Sequence, residues 1–283
     1  MKFFRFLAIV AVTLIVAGAA FIGWSSFRTE ADIDGFAARV TEIGLAHPAA
    51  TPDPTRMAEL PEPVRRYFDF VFTGPVPPHT VMHLEAEGQF RRPLTETFNP
   101  TTAEQTIAVA EPALMFAATT PVLPGIWARA YDFFANGQME MKAKVMSTLT
   151  VVDERETPEL NRISLRRWLL ESALYPQGLL PGGPVTWEAI DNDTARATVS
   201  ADGLSASLIA RFDAEGRMTE MFAEEDGDLT TPYHGSGEHV ARGDYRPVGT
   251  QMIPHDFAIS RKSGERLLPF WQGRITVIGF QDN

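Results

Sequence analysis

The chain has 283 residues, no cysteine and a formal charge of −11. The missing thiols exclude disulfides, cysteine-type zinc sites, Fe–S clusters, a thiol nucleophile and a lipid-modified cysteine. The acidic balance speaks against nucleic acid as a partner and against electrostatic docking on anionic lipid.

Residues 6–24 carry no charge, with Lys2 and Arg5 before them and Arg28, Glu30, Asp32 and Asp34 after. About 20 apolar residues span a bilayer as a helix. Basic flanks stay cytoplasmic, and Trp24 stands where an interfacial aromatic belongs. The segment reads as a retained single-pass anchor in the inner (cytoplasmic) membrane. The alternative is a cleaved signal peptide, with Ala17-Gly18-Ala19 as its small-x-small site. Either way the remainder is exported, to the periplasm or the cell exterior. It holds 22 basic and 36 acidic residues, a formal charge of −14.

Three regions follow: an anchor over 1–28, a juxtamembrane helix and Pro-rich linker over 29–60, and one exported domain over 61–283. In the second, Ile33, Phe36, Val40, Ile43 and Leu45 are loosely helical, and residues 47–54 form a stiff extended linker. Pro61-Glu62-Pro63 opens a helix with Val64, Tyr67, Phe68 and Val71 as its core stripe and Arg65–Asp69 as an outer pair.

From Thr80 the period becomes two. Strands fall near 80–91, 104–111, 113–119, 125–135, 138–152, 185–191, 194–201, 204–213, 217–225, 237–246, 251–261 and 270–280. Asn136-Gly137, Asp202-Gly203, Glu215-Gly216, Asp226-Gly227 and Ser263-Gly264 mark tight turns between them. One helix interrupts, capped by Thr157 and running to about Leu174. It is apolar nearly all round, so it is buried on more than one side. The fold class is mainly β: a strongly curved antiparallel sheet or half-barrel with a central helix, behind an N-terminal transmembrane helix.

Leu60-Pro61-Glu62-Pro63-Val64-Arg65-Arg66-Tyr67 resembles the Leu-Pro-x-x-Val-Arg-Arg-Tyr opening of an uncharacterised bacterial family of unknown function. The likeness continues through Arg167-Trp168-Leu169-Leu170-Glu171, Tyr175-Pro176, Leu179-Leu180-Pro181, Trp187-Glu188-Ala189-Ile190-Asp191 and Ile253-Pro254. It implies no activity. More loosely, a curved sheet around a helix is similar to the LolA-like lipoprotein-carrier fold, an analogy of fold alone.

Two groups of residues could meet an apolar or amphipathic ligand such as a lipid. Trp127, Arg129, Tyr131 and Phe133 share one strand face, with Met139 and Met141 close in sequence. Aromatics and flexible methionines suit an adaptable wall, with Arg129 as polar anchor. An ordinary core with Arg129 stacked or reaching solvent would carry the same pattern. Arg167 lies in the helix stripe with Glu171 one turn on. This is a structural ion pair, or it makes Glu171 the polar floor of a cavity or a general acid.

No metal or other cofactor is expected. His79 and His83 lie about 13 Å apart on a strand, too far for one ion. His234, Glu238 and His239 form a somewhat better loop candidate. Asp191-Asn192-Asp193 and the acidic run 224–228 lack the calcium-loop pattern. Gly235-Ser236-Gly237 lacks the setting of a nucleophile elbow. A non-catalytic, membrane-tethered binding domain is therefore the first reading. An envelope hydrolase using Glu171, Glu188, Asp191 and His234 or His239 is the second. A partner-binding module with a filled core is the third, and a dry, well-packed interior would sink the carrier reading whatever the fold.

Overall fold

The computed structural model describes residues 2–91, 95–227, 229 and 237–282. Its helices are α1 (Lys2–Ala46), α2 (Pro54–Ala58), α3 (Glu62–Val71) and α4 (Pro158–Glu171). The strands are β1 (His79–Arg91), β2 (Phe98–Ala108), β3 (Ala113–Leu123), β4 (Ile126–Ala135), β5 (Gln138–Val145), β6 (Leu149–Arg155), β7 (Val185–Ala189), β8 (Thr194–Ala201), β9 (Leu204–Phe212), β10 (Met218–Phe222), β11 (His239–Val248), β12 (Gln251–Ser263) and β13 (Arg266–Asp282). They form one open sheet in the order β6-β5-β4-β3-β2-β1-β13-β12-β11-β10-β9-β8-β7.

The pairings are antiparallel, and β1 joins β13 at the middle of the sheet. This sheet must curl, because strands from both its halves touch α4. β3, β4 and β5 do so from one side, β8 and β9 from the other. Its turns nearly meet: a Cβ on Gly137 would lie 2.8 Å from Asp202 Cβ. Asn136-Gly137 and Asp202-Gly203 both hold the left-handed conformation that a two-residue hairpin needs.

At the centre Gly88 faces Gly273. A Cβ on Gly273 would stand 2.2 Å from Glu87 O and 2.6 Å from Gly88 Cα. Facing glycines let the two backbones close where side chains would hold them apart.

The inner face and α4 enclose the main core. α3 adds Val64, Tyr67, Phe68 and Val71, all buried as its stripe predicts. The outer pairing of that helix differs from expectation. Arg66 bonds Glu62, while Arg65 donates to Ala58 O at 2.9 Å and not to Asp69. The linker is no free spacer: Ala49 and Ala50 pack on the core, and α2, capped by Asp53, follows it.

The membrane-type segment and the juxtamembrane segment, divided at residue 28 in the sequence reading, form one uninterrupted helix. Its first part is fully exposed and long and apolar enough to cross a membrane. Its second part covers the outer face of β2, β3 and β4. Ile33 and Val40 are buried there with Met115, Tyr131 and Phe133, and Phe36 stacks on Phe133 at 4.3 Å between ring centres. Ser25 Oγ donates to Ser147 O at 2.5 Å, Lys144 Nζ to Thr29 Oγ1 at 3.0 Å, and Arg129 to both Glu30 carboxylate oxygens at 3.0 and 2.7 Å.

One predicted strand, 138–152, is two. Met146 and Ser147 take positive φ and turn the chain between β5 and β6 without a glycine. Hydrogen bonds from Met146 N to Trp127 O (2.8 Å) and Thr148 N to Val145 O (3.0 Å) hold the turn.

Gly273→Ala should cost about 1–3 kcal/mol of stability through backbone overpacking. Gly279→Ala, whose Cβ meets nothing within 4 Å, is the matched control. Urea melts of the two variants check the difference, which equal midpoints would refute.

Candidate ligand cavity

α4 reads Pro-Glu-Leu-Asn-Arg-Ile-Ser-Leu-Arg-Arg-Trp-Leu-Leu-Glu, and Thr157 Oγ1 accepts its Leu160 N–H at 3.2 Å. Ser164 to Glu171 are all buried, including two arginines. Each finds carboxylates. Arg166 reaches Glu225 at 2.6 Å and Glu238 at 3.2 Å. Arg167 bridges Asp132 at 2.5 Å and Glu171 at 3.0 Å, with all three side chains 6% exposed. Its guanidinium also lies 4.6 Å from the centre of the Phe116 ring. Trp168 Nε1 donates to Ala108 O at 2.9 Å, tying α4 to the end of β2.

Arg167 sits over a row crossing six strands. Leu84 faces Gln105, then Phe116, Asp132, Met141 and Glu154 in register. Three of these are polar and none is fully satisfied. Gln105 Nε2, Asp132 Oδ1 and Glu154 Oε2 are buried without a hydrogen-bond partner. Burial pushes the Asp132 carboxyl above its ordinary pKa, and Arg167 offsets only part of that. Burial and then the Asp132 charge push Glu154 up as well.

Beside this row is a cavity of about 20 Å³. Gln105, Glu171 and Arg242 enter it among Leu84, Phe116, Leu174, Phe257, Ile259, Trp271 and Ile275. Arg242 is 8% exposed, and its Nε and Nη2 find no acceptor among the described residues. Burial draws its pKa down, against the pull of the Glu171 carboxylate. Two guanidinium donors and an amide donor therefore face one apolar-walled space. With the Glu171 carboxylate in the same wall, that arrangement suits a hydrogen-bond acceptor attached to an apolar body.

The residues singled out from sequence divide between two faces. Met139, Met141, Arg167 and Glu171 belong to the inner face, Met139 opposite Phe134 and Met141 opposite Asp132. Tyr131 and Phe133 face α1, and Arg129 is paired there with Glu30 and Glu104. Half-buried Trp127 shares their strand parity. Arg129 also borders an acidic outer groove of about 360 Å³, with Glu30, Glu85, Glu87 and Glu104. Tyr131 hydroxyl donates to Glu140 at 2.7 Å. This face therefore seats a helix of the same chain.

A profile for a family of unknown function, DUF6920, matches residues 58–280. The chain belongs to that family. No curated protein matches it. Among solved structures, a LolA superfamily protein from Nitrosomonas europaea is 7% identical, with 78% of this chain and 93% of that chain covered and a TM-score of 0.33. A β-barrel-like protein of the DUF1849 family from Brucella abortus is 11% identical, with 72% and 99% covered and a TM-score of 0.27.

Among the described residues, the catalytic candidates of this DUF6920 chain are engaged in separate structural contacts. Glu188 pairs with Arg196 on the surface, and Asp191 accepts from the Asp193 and Thr194 amides in a turn. His239 is buried beside Glu220 at 3.9 Å, its pKa lowered by burial. His234, Gly235, Ser236 and Asp228 lie outside the described residues. Glu238 is engaged by Arg166 and by the Lys262 amide. Among the described residues no group of three metal-ligating side chains is placed to hold a metal.

Arg242 and Gln105 were not singled out from sequence. The available clue was parity: Arg242 alternates with Val240, and Gln105 with Ala103 and Ile107, on inward positions.

Arg167→Met leaves Asp132 and Glu171 buried without their cation and should cost about 3–5 kcal/mol, read by urea denaturation. Glu154→Gln tests the opposite case. A carboxyl whose folded pKa is raised favours folding while protonated, and that favour is lost as pH rises through the carboxylate range. The glutamine variant should therefore melt higher than the parent at neutral pH and match it in acid. A constant offset at both pH values would contradict the burial cause.

Proposed function

We propose that the protein is a membrane-tethered envelope domain that binds an apolar or amphipathic ligand at the inner cavity. The acceptor head of the ligand meets Arg242 and Gln105, and its apolar part lies against Phe257, Ile259 and Trp271. One observation carries this reading: Arg242 is a buried cation with two donors left without a hydrogen bond, in a wall it shares with Gln105, Glu171 and apolar side chains. An unmade bond to a buried charge is costly. A bound acceptor would supply the missing partners. Lipid is the class of ligand favoured by the exposed apolar helix next to the domain.

The cavity volume of about 20 Å³ holds one water. Sites for drug-sized ligands run to about 300–1,000 Å³. Ligand entry therefore has to part α4 from the sheet. The same small volume favours a second reading, a partner-binding module whose core stays filled.

Native mass spectrometry of the full chain, extracted from its own membrane in mild detergent, separates the two. The expected result is a co-purifying lipid-sized mass that Arg242→Met loses. That variant should be no less stable than the parent, because it removes a buried cation with two unmade hydrogen bonds. A clean apo mass, under conditions that keep lipid on a control carrier, would overturn the ligand reading in favour of the partner-binding module.

A further inference from the structure

The end of the sheet where α1 leaves the domain carries an unusual surface. Among the described residues outside α1, the exposed large hydrophobics are Leu123 (62%), Leu149 (63%), Val151 (54%), Ile190, Leu267 and Val277. The first three belong to two neighbouring hairpins. Leu123 ends β3, and Leu149 and Val151 begin β6. The hairpins are locked together by Met146 N donating to Trp127 O.

The same tip is bonded to α1 at a defined height. Ser25 Oγ donates to Ser147 O, in the turn between β5 and β6. Ser25 directly follows the charge-free run 6–24, and Phe21, Trp24 and Phe27 beside it are exposed. The helix does not break there. At 1.5 Å per residue, residues 6–24 cover about 28 Å, close to the hydrocarbon thickness of a bilayer. A bilayer around that run therefore ends at the level of Ser25 and of the hairpin tips. The other end of α1 lies far away, where a Cβ on Gly44 would meet Thr80 O at 2.6 Å, at the start of β1.

The turn itself is strained. Met146 and Ser147 both hold positive φ, a conformation that disfavours side-chain-bearing residues. A tight hairpin turn requires this pair of left-handed residues, and α1 reaches the turn through the Ser25 hydroxyl on Ser147 O. On this basis we propose that the β3–β4 and β5–β6 hairpin tips insert apolar side chains into the surface of the membrane that α1 spans. The domain is then held by three points, the helix and two tips. The occupant is a lipid bilayer, entered through apolar contact, consistent with the acidic charge of the domain. The proposal rests on reading α1 as a retained anchor.

The absence of cysteine allows single-site labelling. Full-length protein is placed in phosphatidylethanolamine/phosphatidylglycerol nanodiscs carrying a bromolipid quencher. An environment-sensitive fluorophore is attached in turn to Leu123→Cys, Leu149→Cys, Gln138→Cys and Val12→Cys. Gln138 is exposed at the far end of β5, and Val12 lies within the apolar run. The expected result is strong quenching at Val12, quenching at 123 and 149 that is several-fold above that at 138, and blue-shifted emission at both tips. Quenching at 12 with 123 and 149 no different from 138 would overturn the tip proposal alone. Loss of quenching at 12 would overturn the anchor reading and the tip proposal with it. Near-ultraviolet circular dichroism of each labelled variant confirms that the fold is intact.

Discussion

The interior is organised by Arg167. A helix that brings a guanidinium into a core must supply carboxylates from more than one element, because a lone buried charge is prohibitive. Asp132 comes from β4, and Glu171 from the next turn of α4. This joins the central helix to one half of the sheet by charge. Arg166 does the same through Glu225 and Glu238, in the segments flanking β10 and β11. The buried polar groups next to Arg167 are left with unequal shares. Arg242 has Coulombic attraction to Glu171 but no hydrogen bond from Nε or Nη2, and Asp132 has one oxygen unused. The candidate cavity is the place where this network runs out of partners.

The course of the strands was legible because burial follows a period of two and Asn-Gly and Asp-Gly pairs suit two-residue turns. Asn136-Gly137 and Asp202-Gly203 appear where predicted, with the positive φ those residues tolerate. The wall of the site was not legible, for a geometric reason. A two-residue turn at 136–137 places Phe134 opposite Met139. Odd positions of β5 thus share a face with even positions of β4. Met139 and Met141 therefore face α4, while Trp127, Arg129, Tyr131 and Phe133 turn the other way. Parity within one strand follows from the sequence alone; parity across the hairpin depends on the pairing register.

Other features had no local signal at all. Met146-Ser147 contains neither glycine nor asparagine, so the alternation appeared to run through it. The wrapping of the sheet around the helix was readable from the all-round apolar surface of α4. The use of the second sheet face by α1 was not, because the stripe Ile33, Phe36, Val40 and Ile43 does not declare what it packs against. The result is a fold with two cores. One lies between α4 and the inner face, and the other between α1 and the outer face. The structure thereby gives Arg129 a clear role, as the buried cation that meets Glu30 on the helix and, across β3, Glu104 on β2.

The approach of Gly137 to Asp202 has a mechanical meaning. The ladder is continuous from β6 to β7, so the sheet resembles a split ring whose band is hydrogen-bonded throughout. Widening the split is the deformation that leaves every ladder intact. It loads the contact between the two hairpin turns and the side chains that α4 shares with both halves. Resistance to swelling of the interior is therefore set by van der Waals contact and ion pairs, while the backbone network acts as the spring. A glycine at 137 keeps the gap narrow, since any larger side chain would act as a wedge.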